Sequence, residues 1–263
     1  MSILKTMTTS AGRSVTLQIV ESPMQLGRLA AQIVREEWLT REGDPFTVGL
    51  PTGTTPLLFY SALVGMFVER EIDFRNIRTF NLDEYLDLPS WHASSYRYYM
   101  ETHLFRFVNV PREHVYFLNG MTDDWKSTCN RYEDSIKALG GIDLQILGIG
   151  RNGHIAFNEP GTDPASRTRV VRLSERTLQE NARLFPDPKE APEFALTMGI
   201  QTILEARKIV LLASGSSKAN AVYESLCEPP ESRVPASSLQ TFTGQLTYIL
   251  DRPAAAELPV SLE

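Results

Sequence analysis

The sequence predicts an α/β chain: a mostly parallel sheet with helices on both faces, in one unit over residues 1–263. Three observations carry this. Strand-length apolar runs alternate with helix-length segments, mostly at intervals of roughly 25–40 residues, as crossover connections between parallel strands require. IDLQILGIG (142–150) is apolar almost throughout, the pattern of a strand covered on both faces. No internal repeat and no linker interrupts the 263 residues, 42% hydrophobic and 22% charged. A chain of this length buries about 70–75% of its surface on folding, enough to stand without disulfides or a structural metal.

VTLQIVES (15–22) reads as a strand. Ser22 then caps a helix with Pro23 at its first position. Leu26, Leu29, Ala30, Ile33 and Val34 form one apolar stripe on that helix, which runs out near Gly43. FTVGL (46–50) is a short strand, PTGTTP a tight turn and LLFYSALVGMFVE a second buried helix. IRTFNL (77–82) is a strand and SSYRYYMETHLFRF (94–107) a helix. VYFLNG precedes a helix opened by Asp123 or Asp124 and closed by Gly140 and Gly141. After the strand at 142–150, TRVVRLS reads as strand, SERTLQENARLF as helix and PDPKEAPE as a polar, Pro-rich stretch, so that 174–193 is expected to be a mobile flap. KIVLLAS (208–214), a helix in GSSKANAVYESL, and the strand LTYILD (246–251) complete what is a Rossmann-like order.

Composition excludes several function classes. A net charge of −6 argues against a nucleic-acid binder that works through a general basic field. Two cysteines, Cys129 and Cys227, make no disulfide framework and fit reduced thiols in a cytoplasmic protein. The start, MSILKTMTTSAGRSV, lacks the apolar run of a signal peptide, and no stretch approaches the ~20 apolar residues of a membrane span. His92, His103 and His114 recur every eleven residues, but Pro89 and Pro111 leave only His103 securely on a helix, so no metal site is expected.

Ligands of such sheets bind beyond the carboxyl ends of the strands, and four loops there carry chemistry. Thr52, Gly53, Thr54 and Thr55 form a turn before a helix that starts with Pro56; a capping Thr, main-chain N–H groups and hydroxyls make it a candidate anion site. It is not a P-loop, because no Lys follows the glycine in the required frame. LLASGSSK (211–218) makes the same offer and adds Lys218 in the first helical turn, where the helix dipole disfavours a cation unless an anion is shared. Asp83 and Glu84 end the strand IRTFNL and could supply a general base, with solvated loop acids or a helix cap as the alternative. Gly148, Gly150 and Gly153 match G-x-G-x-x-G. Asn158-Glu159-Pro160-Gly161 follows too soon for the long helix of a dinucleotide site, so these glycines are expected to let the backbone pass close to a ligand. His154 and Glu159, five apart in this loop, point to proton transfer.

At these loops the chain resembles the glucosamine-6-phosphate deaminase family. LPTGTTP, TFNLDEY and LGIGRNGHIAFNEPGT look like its signature segments, and the likeness runs on through SRTRVV, ENARLF and GSSKANAV to SSLQ. The related 6-phosphogluconolactonases share the Gly-rich turn and the His but less of the Asn-Glu-Pro. The resemblance implies conversion of glucosamine 6-phosphate and water to fructose 6-phosphate and ammonia, with no cofactor. It implies that Asp83 moves a proton from C2 to C1 and that His154 opens the ring, with Glu159 hydrogen-bonded to it. Thr52, Gly53, Thr54, Thr55, Arg183 and Lys218 would hold the phosphate, and the flap with Arg183 would close over the sugar.

Where some members carry Asp, this chain has Asn152. One negative charge near His154 is therefore absent, and the imidazole is expected to hold its proton less tightly than in an Asn152→Asp variant. Allosteric members use a basic pair in the SRTR segment; here Arg169 is present but Val171 takes the second position. An N-terminal extension also displaces the chain's start. Both features count against allosteric activation, and leave a homo-oligomer open. A galactosamine 6-phosphate deaminase, a lactonase and a non-catalytic sugar-phosphate sensor remain alternatives.

Overall fold

The computed structural model describes residues 2–182, 185 and 191–260. Its strands are β1 (Ile3–Thr8), β2 (Ser14–Val20), β3 (Phe46–Leu50), β4 (Ile77–Asn81), β5 (Asp83–Tyr85), β6 (Val115–Tyr116), β7 (Leu144–Gly148), β8 (Arg169–Arg172), β9 (Phe194–Thr197), β10 (Lys208–Ala213) and β11 (Gln245–Asp251). The helices are α1 (Pro23–Leu39), α2 (Leu57–Val68), α3 (Tyr96–His103), α4 (Trp125–Ala138), α5 (Glu175–Ala182), α6 (Ile200–Leu204) and α7 (Ala219–Cys227).

An eight-stranded sheet runs in the order β1-β2-β11-β10-β7-β3-β4-β6, parallel except for the β1–β2 hairpin. Two apolar layers cover it. One packs Leu26, Ala30 and Val34 of α1 and Phe59 and Leu63 of α2 against Val48, Leu144, Ile146 and Val210. The other sets Tyr132 and Ile136 of α4 and Val222 and Leu226 of α7 against Leu147, Leu211 and Tyr248. Both faces are thus buried, which is why β3, β7 and β10 are near-continuous apolar runs, broken only by Thr47 and Gln145, which are buried too, and by Lys208 at the start of β10.

Local signals explain the element starts. Ser22 accepts from Gln25 N–H with Pro23 in the first turn, and Asp124 accepts from Ser127 N–H at the start of α4. The segment expected to be helical over 94–107 is helix only over Tyr96–His103, followed by a short 3-10 turn at Phe105–Phe107.

The larger departure is a second sheet, β5-β9-β8, antiparallel throughout. Asp83 and Glu84, expected as a loop at a strand end, are themselves strand, paired with Thr197 and Leu196. The TRVV segment is strand as expected, but in this small sheet. Three other strands escaped sequence reading: β1, whose residues alternate between half-buried and exposed on the outer edge; the two-residue β6, at the other edge; and β9, which follows the Pro-rich stretch. Among the described residues no helix is long and apolar enough to cross a membrane.

Candidate active site

Connections leaving β3 run towards one edge of the large sheet through β4 and β6, and those leaving β7 run towards the other through β10 and β11. The crevice at such a reversal is where parallel sheets bind ligands. Here it is a cleft of about 640 Å³, and Thr52, Gly53, Thr54, Thr55, Asp83, Asn152, His154, Glu159 and Lys218 all line it. Chain segments up to 166 positions apart (52 to 218) thus share one space.

One end is built from main chain. The turn after β3 carries Gly53 at φ 109°, a conformation that costs glycine little. Two tyrosine hydroxyls donate to its carbonyls: Tyr99 to Gly53 at 2.6 Å, and Tyr60 to Pro51. The Thr54 and Thr55 hydroxyls do not cap α2; Pro56 holds the cap position and no side chain closes that end. On the far side, Lys218 sits at the cap of α7, again with no side-chain cap bond. The turn before it is tied down by Asp251, which is 3% exposed and accepts from Gly215 N–H at 3.0 Å and from the Ser214 hydroxyl at 2.6 Å. Two helix starts without a side-chain cap, facing one cleft, form the pattern of an anion site.

The other end is built from side chains. His154 Nδ1 lies 2.7 Å from Asn152 Oδ1, and Asn152 Nδ2 donates to Glu159 Oε2 at 2.8 Å. Glu159 was expected to hydrogen-bond His154 directly; at 3.7 Å its Oε2 is beyond that range, because the Asn152 amide stands between them. The remaining Glu159 oxygen accepts from Thr177 Oγ1 at 2.8 Å and Ser174 Oγ at 3.2 Å, which ties the start of α5 to the site. The loop is rigidly made. A Cβ on Gly150 would run into the His154 ring, and Ala156 adopts φ 51°, a strained value for a residue with a side chain. Asn158, fully buried, donates to the carbonyls of Ile155 and Met198 at 2.9 Å each and accepts from Arg169 at 2.9 Å.

Asp83 is 6% exposed, and its Oδ1 has no hydrogen-bond partner among the described residues. Burial pushes its carboxyl up to about 8, and the neighbouring Glu84 adds to the rise. An acid whose proton affinity lies near neutrality, with one oxygen lacking a donor and the group opening on a cleft, is suited to taking up and returning a proton.

The comparisons with known proteins agree with this geometry. Residues 23–248 match the family described as Glucosamine-6-phosphate isomerases/6-phosphogluconolactonase. The chain belongs to that family. It is 46% identical over 242 residues to glucosamine-6-phosphate deaminase 2 of Bacillus subtilis, covering 91% of this chain and 96% of that one. A solved structure described as a monomeric glucosamine-6-phosphate deaminase superposes with a TM-score of 0.87 at 42% identity, over 91% of this chain and 98% of the other. The 6-phosphogluconolactonase of Trypanosoma cruzi shares the fold, with a TM-score of 0.73 at 24% identity over 93% of this chain and 97% of its own.

Of the residues that the resemblance assigns to the reaction or the phosphate in this family member, all but Arg183 line the cleft, whereas Glu84 and Gly153, also picked from sequence, do not; Arg183 lies outside the described residues. Sequence reading missed Tyr96, Arg151, Thr177, Ser214 and Ser217 on the walls, and Ser174 and Asp251 behind them. Ser214, Ser217 and Thr177 were within reach, since they sit inside segments already singled out. Tyr96 carries no local signal: it is brought in by α3 and stacks at 5.8 Å on Phe157 of the histidine loop.

Proposed function

We propose that the chain is a glucosamine-6-phosphate deaminase, converting glucosamine 6-phosphate and water to fructose 6-phosphate and ammonia. The observation that carries this is the buried Asp83 carboxyl, its Oδ1 without a donor among the described residues, in the same cleft as His154 and two helix starts without side-chain caps. Relatives named for this activity, at 43–46% identity over most of the chain, support it.

The chemistry follows from the side chains. The phosphate is held by the N–H groups and hydroxyls of Thr52, Gly53, Thr54 and Thr55, by Lys218 and by Arg183. His154 moves the proton from the anomeric hydroxyl to the ring oxygen, opening the pyranose to an aldehyde. Asn152 orients the imidazole, and Glu159 orients Asn152. The aldehyde makes C2–H acidic, so Asp83 can take that proton, giving an enolamine, and return it to C1. The resulting C2 imine is hydrolysed by water to the ketone and ammonia. The carbonyl of the opened sugar is itself the electron sink, and the residues of 174–193 cover the sugar during these steps as a flap on a single domain.

The relative described as monomeric supports a monomer for this chain too, over the homo-oligomer left open by sequence; elution near 30 kDa on a calibrated column tests it. The function is tested by ammonia release and lactone hydrolysis across glucosamine 6-phosphate, its galacto epimer, unphosphorylated glucosamine and 6-phosphogluconolactone. Ammonia from the first is the expected result. Ammonia from the galacto epimer alone, or lactone hydrolysis alone, would replace this reading by one of its alternatives.

A further inference from the structure

Glu84, the neighbour of Asp83 in β5, has no part in the steps above, yet it is 2% exposed and the most heavily bonded carboxylate at the site. Its Oε1 accepts from the N–H groups of Tyr85 and Tyr96, each at 2.9 Å. Its Oε2 accepts from the Ser95 hydroxyl and from Arg97 N–H, also at 2.9 Å each. Three of the four donors belong to the start of α3, whose dipole favours negative charge there.

Asp83 has the opposite surroundings. Besides Glu84, the groups facing it are Tyr60 of α2, Tyr96 of α3 and Tyr132 of α4, with His154, Glu159 and Lys218 across the cleft. Tyr60 and Tyr132 spend their hydroxyl protons on the carbonyls of Pro51 and Asn81, and the Tyr96 hydroxyl meets that of Tyr85 at 3.2 Å. The Tyr60 and Tyr132 donors are thus committed elsewhere, while four donors point at Glu84.

We propose that Glu84 is a positioning residue for proton transfer: its anion, locked by four donors at the start of α3, is a fixed negative charge that strengthens Asp83 as a base and holds Tyr96 at the cleft wall. This rests on the reading of Asp83 as the base. A carboxylate needed only to cap α3 could sit anywhere with reach; this one is placed beside the one acid whose proton affinity governs the chemistry. Burial pushes both carboxyls up, but four donors hold the Glu84 anion while Asp83 Oδ1 has none among the described residues, so Asp83 is the one that keeps its proton.

The test compares Glu84→Gln, which keeps the shape and loses the charge, with Glu84→Asp, which keeps the charge and loses reach, and with Asp83→Asn. The readouts are kcat, KM and the pH profile of kcat/KM for ammonia release. Glu84→Gln is expected to move the acid limb down by about one pH unit, and to lower kcat about three- to tenfold because the base is weaker, with KM within about threefold of wild type. Glu84→Asp is expected to leave the limb within about 0.3 units of wild type. A Glu84→Gln limb that stays in place, or a loss seen mainly in KM, would overturn the proposal. Full turnover by Asp83→Asn would instead overturn the base assignment itself. Should Glu84→Gln not fold, the order of ionisation is read in wild type: the carboxyl carbon resonance of Glu84 must already be that of an anion at the pH where the Asp83 resonance titrates, and a Glu84 that ionises together with or after Asp83 overturns the proposal.

Discussion

The two ends of the cleft are made from different materials. The end assigned to phosphate consists of turns after β3 and β10, with main-chain groups, hydroxyls and one ammonium at helix starts. The end assigned to proton transfer consists of buried or half-buried side chains, each oriented by another: Glu159 by Ser174 and Thr177, Asn152 by Glu159, and His154 by Asn152. The difference teaches what each task demands. An anion of fixed charge needs many modest donors that any turn can present. A group that changes its protonation needs one side chain whose surroundings are controlled on every side.

That contrast makes substitutions at the two ends separable. The largest effect belongs to Asp83→Asn, which is expected to lower kcat about 10²–10⁴-fold with KM changed by no more than about threefold. Steady-state ammonia release checks it, and a comparable rise in KM would erase the distinction between the ends. Next comes Asn152→Ala, which breaks the link from Glu159 to His154. A fall in kcat of roughly 10–100-fold is expected, again with little change in KM, the size usual for groups that orient a functional histidine.

Lys218→Ala tests the other end. It removes the charge-assisted contact proposed for the phosphate, so KM is expected to rise about 10–100-fold while kcat stays within about fivefold. A kcat defect without a KM defect would move Lys218 to the chemical end. The smallest effect is on stability. The Asp83 carboxyl is raised from 3.8 to about 8 in the folded chain, so its contribution is fully present below pH 4 and is lost as pH rises through about 8. Asp83→Asn has no such ionisation. It is therefore expected to be more stable than wild type by roughly 1–3 kcal/mol at pH 9 and by less at pH 5, measured by urea unfolding.

The same contrast decides how much was legible beforehand. The large sheet declared itself because strands buried on both faces are largely apolar, and the turns assigned to phosphate because Gly53, Pro56 and the GSSK segment mark helix starts locally. The proton-transfer end depends on who touches whom across long separations, which no local pattern encodes. Asn152 was read as a missing charge, and the structure gives it the bridging place between Glu159 and His154. The Asp83-Glu84 pair looked like loop acids because three residues of strand, Asp83–Tyr85, are too few to carry a period, and their partner β9 lies more than a hundred positions downstream. Arg169 read as half of an effector site, and in the fold it hydrogen-bonds Asn158 at the base of the histidine loop.

The most direct test of two ends serving one sugar is calorimetric titration of fructose 6-phosphate into wild type, Asp83→Asn and Lys218→Ala, alongside ammonia release by each. The account predicts that Asp83→Asn binds within about threefold of wild type and releases almost no ammonia, while Lys218→Ala binds about 10–100-fold more weakly. Equal loss of binding in both variants, or ammonia release by Asp83→Asn at the wild-type rate, would contradict it.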